Sequence, residues 1–149
     1  MPESVMIQDQ STTTANSSLI IQTEDTVEDT STSNITNSTQ LPTRAEIEAL
    51  VKSNFKDAPI MQKVAFCESR NTQFDAKGNI HRGVVNNKDV GIFQINEKYH
   101  LKRAQKMGID IYSVEGNMEY ARILYKESGT QPWSASQPCW GKYQLAYNK

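Results

Sequence analysis

Basic and aromatic residues are absent from the first 40 residues of this 149-residue sequence. Long hydrophobic runs are missing there too, since the longest one is Leu19-Ile20-Ile21. A membrane-spanning helix needs about 20 apolar residues, so this run predicts no span. It also lacks the basic flank and the small-residue cleavage site that are typical of a signal peptide.

The first 40 residues contain instead 16 Ser and Thr and six acids. Such a stretch cannot bury enough apolar surface to offset the entropy lost on ordering, so residues 1–40 are predicted to be a disordered arm. The arm is either a spacer that holds the domain away from a membrane or another module, or a segment without a role. Residues 41–149 hold all 16 basic residues against 11 acids, which predicts a domain of net charge +5 behind an acidic arm.

Cysteine and histidine are also scarce, with two of each in the chain. So few excludes a zinc cluster built from Cys and His, and no motif indicates another metal or an organic cofactor. Two interpretations of Cys67 and Cys139 are open at this point. They form a disulfide in an exported chain, or they are unrelated buried thiols in a cytosolic protein.

Helical patterns dominate residues 41–149, so the predicted fold class is mainly α. Thr43 and Glu46 fit a capping box that begins a first helix. Asp57 is the expected cap of a second helix, with Pro59 in its first turn and an end near Arg70. The other expected elements are a loop or weak hairpin over residues 71–90, a helix over 97–107, a helix between Ser113 and Gly129, and a loop with short helical turns over 130–149.

Glu68 is the first candidate for chemistry, because it lies near the end of the second predicted helix beside apolar Val64 and Phe66. A carboxyl group near apolar walls loses hydration, which raises its pKa and suits it to donate a proton near neutral pH. A solvated surface acid beside Arg70 is the simpler interpretation, and composition alone favours it.

A second segment of the sequence favours the interpretation of Glu68 as a proton donor. It is Asp89-Val90-Gly91-Ile92-Phe93-Gln94-Ile95-Asn96. With Cys67-Glu68-Ser69 it resembles the lysozyme-like superfamily, which includes lysozymes, soluble lytic transglycosylases and resuscitation-promoting factors. The resemblance covers roughly residues 57–140. The residues that resemble the cleft-closing helix and Pro-Trp-Ser loop of transglycosylases are Asn117, Ala121, Gly129, Pro132, Trp133 and Ser134.

The resemblance implies an α+β lysozyme-like domain over residues 41–149, with a cleft and at most a small β-hairpin. It implies a glycosidase that cleaves the β-1,4 bond between N-acetylmuramic acid and N-acetylglucosamine in peptidoglycan. Glu68 is then the general acid. A cysteine directly before this Glu, paired with one in a Trp-rich C-terminal segment, is similar to resuscitation-promoting factors, which implies a Cys67–Cys139 disulfide.

Asp89 bears on the mechanism. In a lysozyme-type hydrolase a second carboxylate answers the positive charge of the transition state, and Asp89 occupies the matching place in the string. In a lytic transglycosylase, which is the favoured implication, the muramic 6-hydroxyl attacks and leaves a 1,6-anhydro product. Asp89 is alternatively a loop residue that caps a turn beside residues 86–88.

Further residues are expected to hold the sugar through amides, hydroxyls and aromatic faces. The substrate-binding residues implied are Ser69, Gly91, Gln94, Asn96, Tyr120 and Trp133, with Tyr99 as a further aromatic. For Trp133 a core position is an equally good interpretation. No motif favours nucleic-acid binding. The protein is expected to be a monomer in the extracellular space or cell envelope, with peptidoglycan glycan strands as its partner.

A function from another class remains open, namely a non-catalytic wall-binding or regulatory module on a lysozyme-like scaffold, because fold does not determine function. The retained Glu68, Ser69 and Gln94 argue against it.

Overall fold

The computed structural model describes residues 40–147, with side chains through Gln144. The predicted disordered arm lies outside the described residues except for Gln40. Within the described part the fold is mainly helical, as predicted, with one two-stranded antiparallel sheet. Its elements are α1 (Arg44–Asn54), α2 (Pro59–Ser69), β1 (Asp89–Val90), β2 (Ile95–Asn96), α3 (Glu97–Lys106), α4 (Val114–Ser128), a 3₁₀ segment (Gln131–Ser136) and α5 (Gln137–Tyr147).

Three of the helices begin with a residue whose side chain caps the first turn. At α1 the capping box predicted from the sequence is confirmed, because the Thr43 N–H donates to Glu46 Oε2 at 2.7 Å and Thr43 Oγ1 accepts from the Glu46 N–H at 3.3 Å. Ser113 caps α4 by accepting from the Gly116 N–H at 3.0 Å. Asn96 caps α3 by accepting from the Lys98 N–H at 3.1 Å. Each cap satisfies a backbone donor that has no partner within the helix.

The start of α2 differs from the prediction in one respect. Pro59 lies in the first turn as expected, but the cap is Ala58, which has no side-chain hydrogen bond, and not Asp57. Asp57 instead forms an ion pair with Arg122, with 2.9 Å between Oδ2 and Nη1. The acid therefore ties α4 to the connection between α1 and α2.

The C-terminal segment also differs, since residues 137–147 form the helix α5 where a loop with short turns was predicted. Pro138 and Gly141 resemble turn signals, but Pro138 lies in the first helical turn, where a missing N–H costs little. Helix α5 packs against α2 and the 3₁₀ segment, and this tertiary packing outweighs its weak local pattern.

The sheet is a minimal hairpin. Asp89 pairs with Asn96 and Val90 pairs with Ile95, so the paired strands begin where the predicted hairpin region ends. The hairpin is anchored at Glu97, whose carboxylate accepts from Arg82 at 3.0 and 3.2 Å and from the Tyr112 hydroxyl at 2.8 Å. These bonds, led by those from Arg82, lower the pKa of Glu97 to about 2.

The hydrophobic core lies between the helices and beneath the hairpin, and its members come from every helix. The largest apolar side chains that are fully buried are Phe55, Phe93, Ile47, Met61, Ile92 and Ile111. Phe93 of the hairpin turn contacts Phe55 and Trp133, with ring centroids 5.2 and 6.0 Å apart. The turn is therefore packed into the core rather than lying on the surface.

The two cysteines form a disulfide between α2 and α5, with 5.9 Å between the Cα atoms of Cys67 and Cys139. Of the two interpretations left open by the sequence, the disulfide is the one present. It links residues 72 positions apart and fixes α5 directly beside Glu68.

Replacing both Cys67 and Cys139 with Ser should lower the free energy of unfolding by about 4 kcal/mol, because the unfolded chain regains the entropy of an open loop. Urea unfolding followed by circular dichroism measures this loss. Wild type with an excess of reductant is the matched control and should unfold at the same urea concentration as the double variant. An unchanged midpoint in the double variant would contradict the expected role of the bond.

Candidate active site

The chain forms an open cleft of about 320 Å³ between the end of α2, the hairpin, the start of α3 and the 3₁₀ segment. Glu68 lies in its wall, on the last turn of α2. The residues that line the cleft are Glu68, Asp89, Gln94, Ile95, Asn96, Tyr99, His100, Leu124, Pro132, Trp133 and Ala135. Five of the candidate residues predicted from the sequence are thus brought together, namely Glu68, Asp89, Gln94, Asn96 and Trp133.

Glu68 is half-buried, and one polar side chain holds it. Ser136 donates a hydrogen bond from Oγ to Glu68 Oε1 at 2.6 Å. Burial raises the pKa of Glu68 above its ordinary value, the Ser136 hydrogen bond lowers it, and the negative charge of Asp89 raises it. The net direction is upward, since loss of water disfavours the charged carboxylate more than one hydroxyl favours it.

Asp89 is at the start of the hairpin and faces the same cleft. Its Oδ1 accepts from Asn96 Nδ2 at 2.7 Å and from Asn86 Nδ2 at 3.2 Å. Two amide donors on one oxygen fix the direction of the carboxylate. The residue is thus a turn-forming acid and a cleft acid at once, so the two interpretations of Asp89 do not exclude each other.

The two predicted amides, Gln94 and Asn96, are both at the cleft but are engaged by the protein. Gln94 has a positive φ of 48° and donates from Nε2 to the carbonyl of Gly91 at 2.8 Å. Asn96 caps α3 with its oxygen and donates to Asp89 with its nitrogen. The amide oxygen of Gln94 packs against Gly83, where an added Cβ would lie 2.8 Å from it. Asn96 acts on the cleft by orienting Asp89.

The turn that joins the strands is buried. Its backbone N–H and C=O groups form hydrogen bonds with side chains from four parts of the chain. The Ile92 N–H donates to Gln73 Oε1 at 3.0 Å, and the Phe93 N–H donates to Asn117 Oδ1 at 2.9 Å. The carbonyl of Ile92 accepts from Ser69 Oγ at 2.7 Å, and that of Phe93 accepts from Trp133 Nε1 at 2.8 Å. These four side chains set the position of the turn.

This arrangement replaces the substrate contact expected for Ser69 and decides between the two interpretations of Trp133. Ser69 is buried and does not line the cleft, and its hydroxyl donates its one proton to the carbonyl of Ile92 and accepts from the Thr72 N–H at 3.0 Å. Trp133 reaches the cleft but is only 4% exposed. Its ring is a core anchor for the 3₁₀ segment rather than a free stacking face.

Gly91 is likewise structural. It has a φ of 71°, and a Cβ built on it would lie 2.4 Å from Gln73 Oε1 and 2.6 Å from Asn117 Nδ2. A side chain would displace the two amides that hold the turn. The sequence analysis expected Gly91 to contact substrate. In the structure Gly91 instead lies close to two buried amides.

The expected role of Tyr120 as an aromatic plate is wrong for this structure. Its side chain is fully buried, and its hydroxyl lies 3.2 Å from His100 Nδ1. Because Tyr120 has no exposed ring face, it does not present a stacking surface to a sugar. It contacts the cleft residue His100 instead.

Three residues contribute to the cleft that were not predicted as site residues or were named only in passing. Tyr99 lines the cleft and is 71% exposed, which makes it the accessible aromatic face there. His100 follows it, with a pKa lowered first by burial and then by Arg103. Tyr99 was named from the sequence as a further aromatic, and His100 could have been found beside it in the first turn of the helix that begins directly after the motif. Ser136 gave no local signal.

Comparisons with protein-family models, with curated proteins and with solved structures find no match to this chain. Within residues 40–147, no three His, Cys, Asp or Glu side chains come together in a way that could hold a metal ion. No helix in the same range has the length and apolar character that crossing a membrane requires.

Replacing Gly91 with Ala should cost a few kcal/mol of unfolding free energy, from backbone strain and from crowding of the two buried amides. Gly108→Ala is the matched control, because Gly108 has a φ of 73° and open space around its Cβ position. Gly108→Ala should lower the free energy of unfolding by about 1 kcal/mol, from backbone strain alone. Thermal unfolding of both variants measures the difference, and equal losses would remove the proposed steric role of Gly91.

Proposed function

We propose that this domain is a glycosidase that cleaves the β-1,4 bond between N-acetylmuramic acid and N-acetylglucosamine in peptidoglycan. The observation that carries the proposal is a half-buried Glu68 in an open cleft, with its pKa raised by burial and by Asp89. A carboxyl group in that state keeps its proton toward neutral pH and can give it to a glycosidic oxygen.

The cleft supports a binding mode with one stacking face and a few polar contacts. Tyr99 offers an exposed ring to the apolar face of a sugar. The Gln94 side chain lines the cleft, and Pro132 and Ala135 of the 3₁₀ segment add apolar surface to it. Such a combination is typical of sites that orient a small polar ring.

Ser136 suits both protonation states of Glu68. Its hydroxyl has one proton, which it can donate to Glu68 at 2.6 Å or to the carbonyl of Trp133 at 3.2 Å. When Glu68 is protonated, the carboxyl can donate to Ser136 Oγ while the hydroxyl turns to the carbonyl. Ser136 is therefore a positioning residue that keeps Glu68 oriented before and after proton transfer.

The favoured route is that of a lytic transglycosylase, in which Glu68 first acts as acid and then as base. As the glycosidic bond breaks, the muramic C6 hydroxyl attacks the anomeric carbon and gives its proton to Glu68, which leaves a 1,6-anhydro end. Hydrolysis is the close alternative, because Asp89 carries an oriented carboxylate in the same cleft and can stabilise an oxocarbenium-like transition state while water attacks.

The compartment follows from the same proposal. A disulfide is compatible with an oxidising environment outside the cytoplasm. We propose the extracellular space or cell envelope, where glycan strands are found, and a monomeric enzyme.

Replacing Glu68 with Gln should lower the rate of fragment release from purified cell walls by about 10² to 10⁴-fold, since general acid catalysis is lost while the shape of the side chain is kept. Glu119→Gln, at an exposed position of α4, is the matched control and should leave the rate unchanged. Loss of wall turbidity and chromatography of released fragments provide the measurement. Equal activity of wild type and Glu68→Gln would refute the proposed role.

Mass spectrometry of the fragments released by the wild type distinguishes the two routes. Fragments with 1,6-anhydro ends indicate transglycosylation, and fragments with reducing ends indicate hydrolysis.

The pH profile should have a limb on which activity falls as pH rises through the raised pKa of Glu68, because the acid must be protonated. Ser136→Ala removes a donor to the carboxylate and should move this limb to higher pH. Asp89→Asn removes a neighbouring negative charge and should move it to lower pH. Titration of the Glu68 carboxyl carbon by NMR reports the same pKa without activity, and shifts of the same sign in both variants would contradict this assignment of causes.

A further inference from the structure

His100 is a polar residue of the cleft that the proposed reaction does not use. It lines the cleft beside Tyr99, and its side chain is partly buried. Its Nδ1 lies 3.2 Å from the hydroxyl oxygen of Tyr120, whose side chain is fully buried. The two rings also meet edge to face, with their centroids 5.5 Å apart. Tyr120 therefore holds one edge of the imidazole ring and leaves the opposite edge directed away from the core.

The second ring nitrogen of His100, Nε2, is available to a ligand. It has no hydrogen-bond partner among the residues that the structure describes. In that same part of the chain, no histidine nitrogen is both shielded from solvent and unpaired, so Nε2 is accessible. Because the Nδ1 edge faces Tyr120 and the residue lines the cleft, the accessible edge is the one that a ligand in the cleft meets.

The groups behind the ring determine which nitrogen carries its proton. Burial lowers the pKa of His100, Arg103 lowers it further, and Glu127 raises it. The net direction is downward, so the ring is neutral near pH 7 and has one N–H.

The hydroxyl of Tyr120 places that single proton. Burial raises the pKa of Tyr120, and Arg103 lowers it, because the guanidinium lies 6.0 Å from the centre of the Tyr120 ring. The positive charge attracts the hydroxyl oxygen, so the hydroxyl proton points away from Arg103 and toward His100. Nδ1 then accepts this proton in a hydrogen bond, and the ring proton is on Nε2.

Apolar surface lies next to this donor. Leu124 lines the cleft and is four positions after Tyr120 on α4, so the two side chains lie on the same face of that helix. A donor beside a small apolar surface matches an acetamido group, which has a carbonyl acceptor next to a methyl group. A sugar hydroxyl fits less well, because it would still need an acceptor for its own proton.

We propose that His100 is a specificity-determining residue of the cleft, and that its Nε2–H donates a hydrogen bond to the acetamido carbonyl of an N-acetylated sugar. Tyr120 is a positioning residue that holds the ring and its proton in place. The choice of a sugar rests on the proposed function. The inference adds the substituent of that sugar that the cleft recognises.

The test uses the full chain with Glu68→Gln, so that bound sugar is not cleaved, and two neutral probes. Tetra-N-acetylchitotetraose carries acetamido groups, and cellotetraose carries hydroxyls in their place. Backbone amide shifts at Gln94 and Tyr99 report the affinity of each probe. His100→Phe keeps a ring against Tyr120 but removes the donor. It should lower the ratio of the two affinities about tenfold, as expected for one lost hydrogen bond.

Three further variants separate the donor from the shape of the ring. His100→Gln places an amide nitrogen near the position of Nε2 and should restore most of the ratio. Tyr120→Phe removes the hydroxyl that holds Nδ1 and should lower the ratio in part. His81→Phe changes a histidine that does not line the cleft, and as the matched control it should leave the ratio unchanged.

The position of the ring proton can be measured without any sugar. The nitrogen shifts of the His100 ring in the free protein should show the proton on Nε2. A proton on Nδ1, or a ratio unchanged by His100→Phe, would overturn the role of His100 and leave the proposed function standing, since that function depends on Glu68. A ratio unchanged by Tyr120→Phe would overturn the positioning role of Tyr120. No shifts in the cleft with either probe would overturn the sugar contact, and fragment release from cell walls then shows whether the proposed function falls with it.

Discussion

The structure depends on a stretch of irregular backbone that is buried without a sheet or helix to satisfy it. The N–H and C=O groups of Ile92 and Phe93 are paired instead with Gln73, Asn117, Ser69 and Trp133. An unpaired backbone group in this place would cost as much as a lost hydrogen bond. All four side chains must therefore be present together, which explains why polar residues occupy the core of a small helical domain.

The shape of the cleft depends on these hydrogen bonds to the buried turn. Asp89, at the start of β1, and Gln94, in the turn itself, both line the cleft, so the buried turn positions its polar wall. Glu68 is fixed from the other side, by α2 before it and by Ser136 across from it. Under the proposed mechanism, Ser136 can follow the change in protonation of Glu68 by rotating its hydroxyl between Glu68 and the carbonyl of Trp133.

Local signals predicted much of the fold but only part of the site. The caps at Thr43 and Ser113 follow from side chains that bond backbone within three residues, so the sequence contains their whole cause. Helix α5 was missed because packing against α2 decides it. The bond from Ser136 to Glu68 was missed since its partners are 68 positions apart. Ser69 was expected to contact substrate and Trp133 either to do so or to anchor the core, because residue type alone does not say whether a hydroxyl or an indole N–H faces ligand or backbone; both side chains bond the buried turn.

The far separation of Glu68 from the segment that completes its surroundings has a consequence for synthesis. A ribosome makes α2, the hairpin and α3 well before Trp133 and Ser136 emerge, and Cys139 arrives later still. Until then the buried turn lacks one of its donors, and Glu68 lacks its hydroxyl partner and the neighbouring disulfide. The surroundings of Glu68 are therefore completed only once the C-terminal helix has docked.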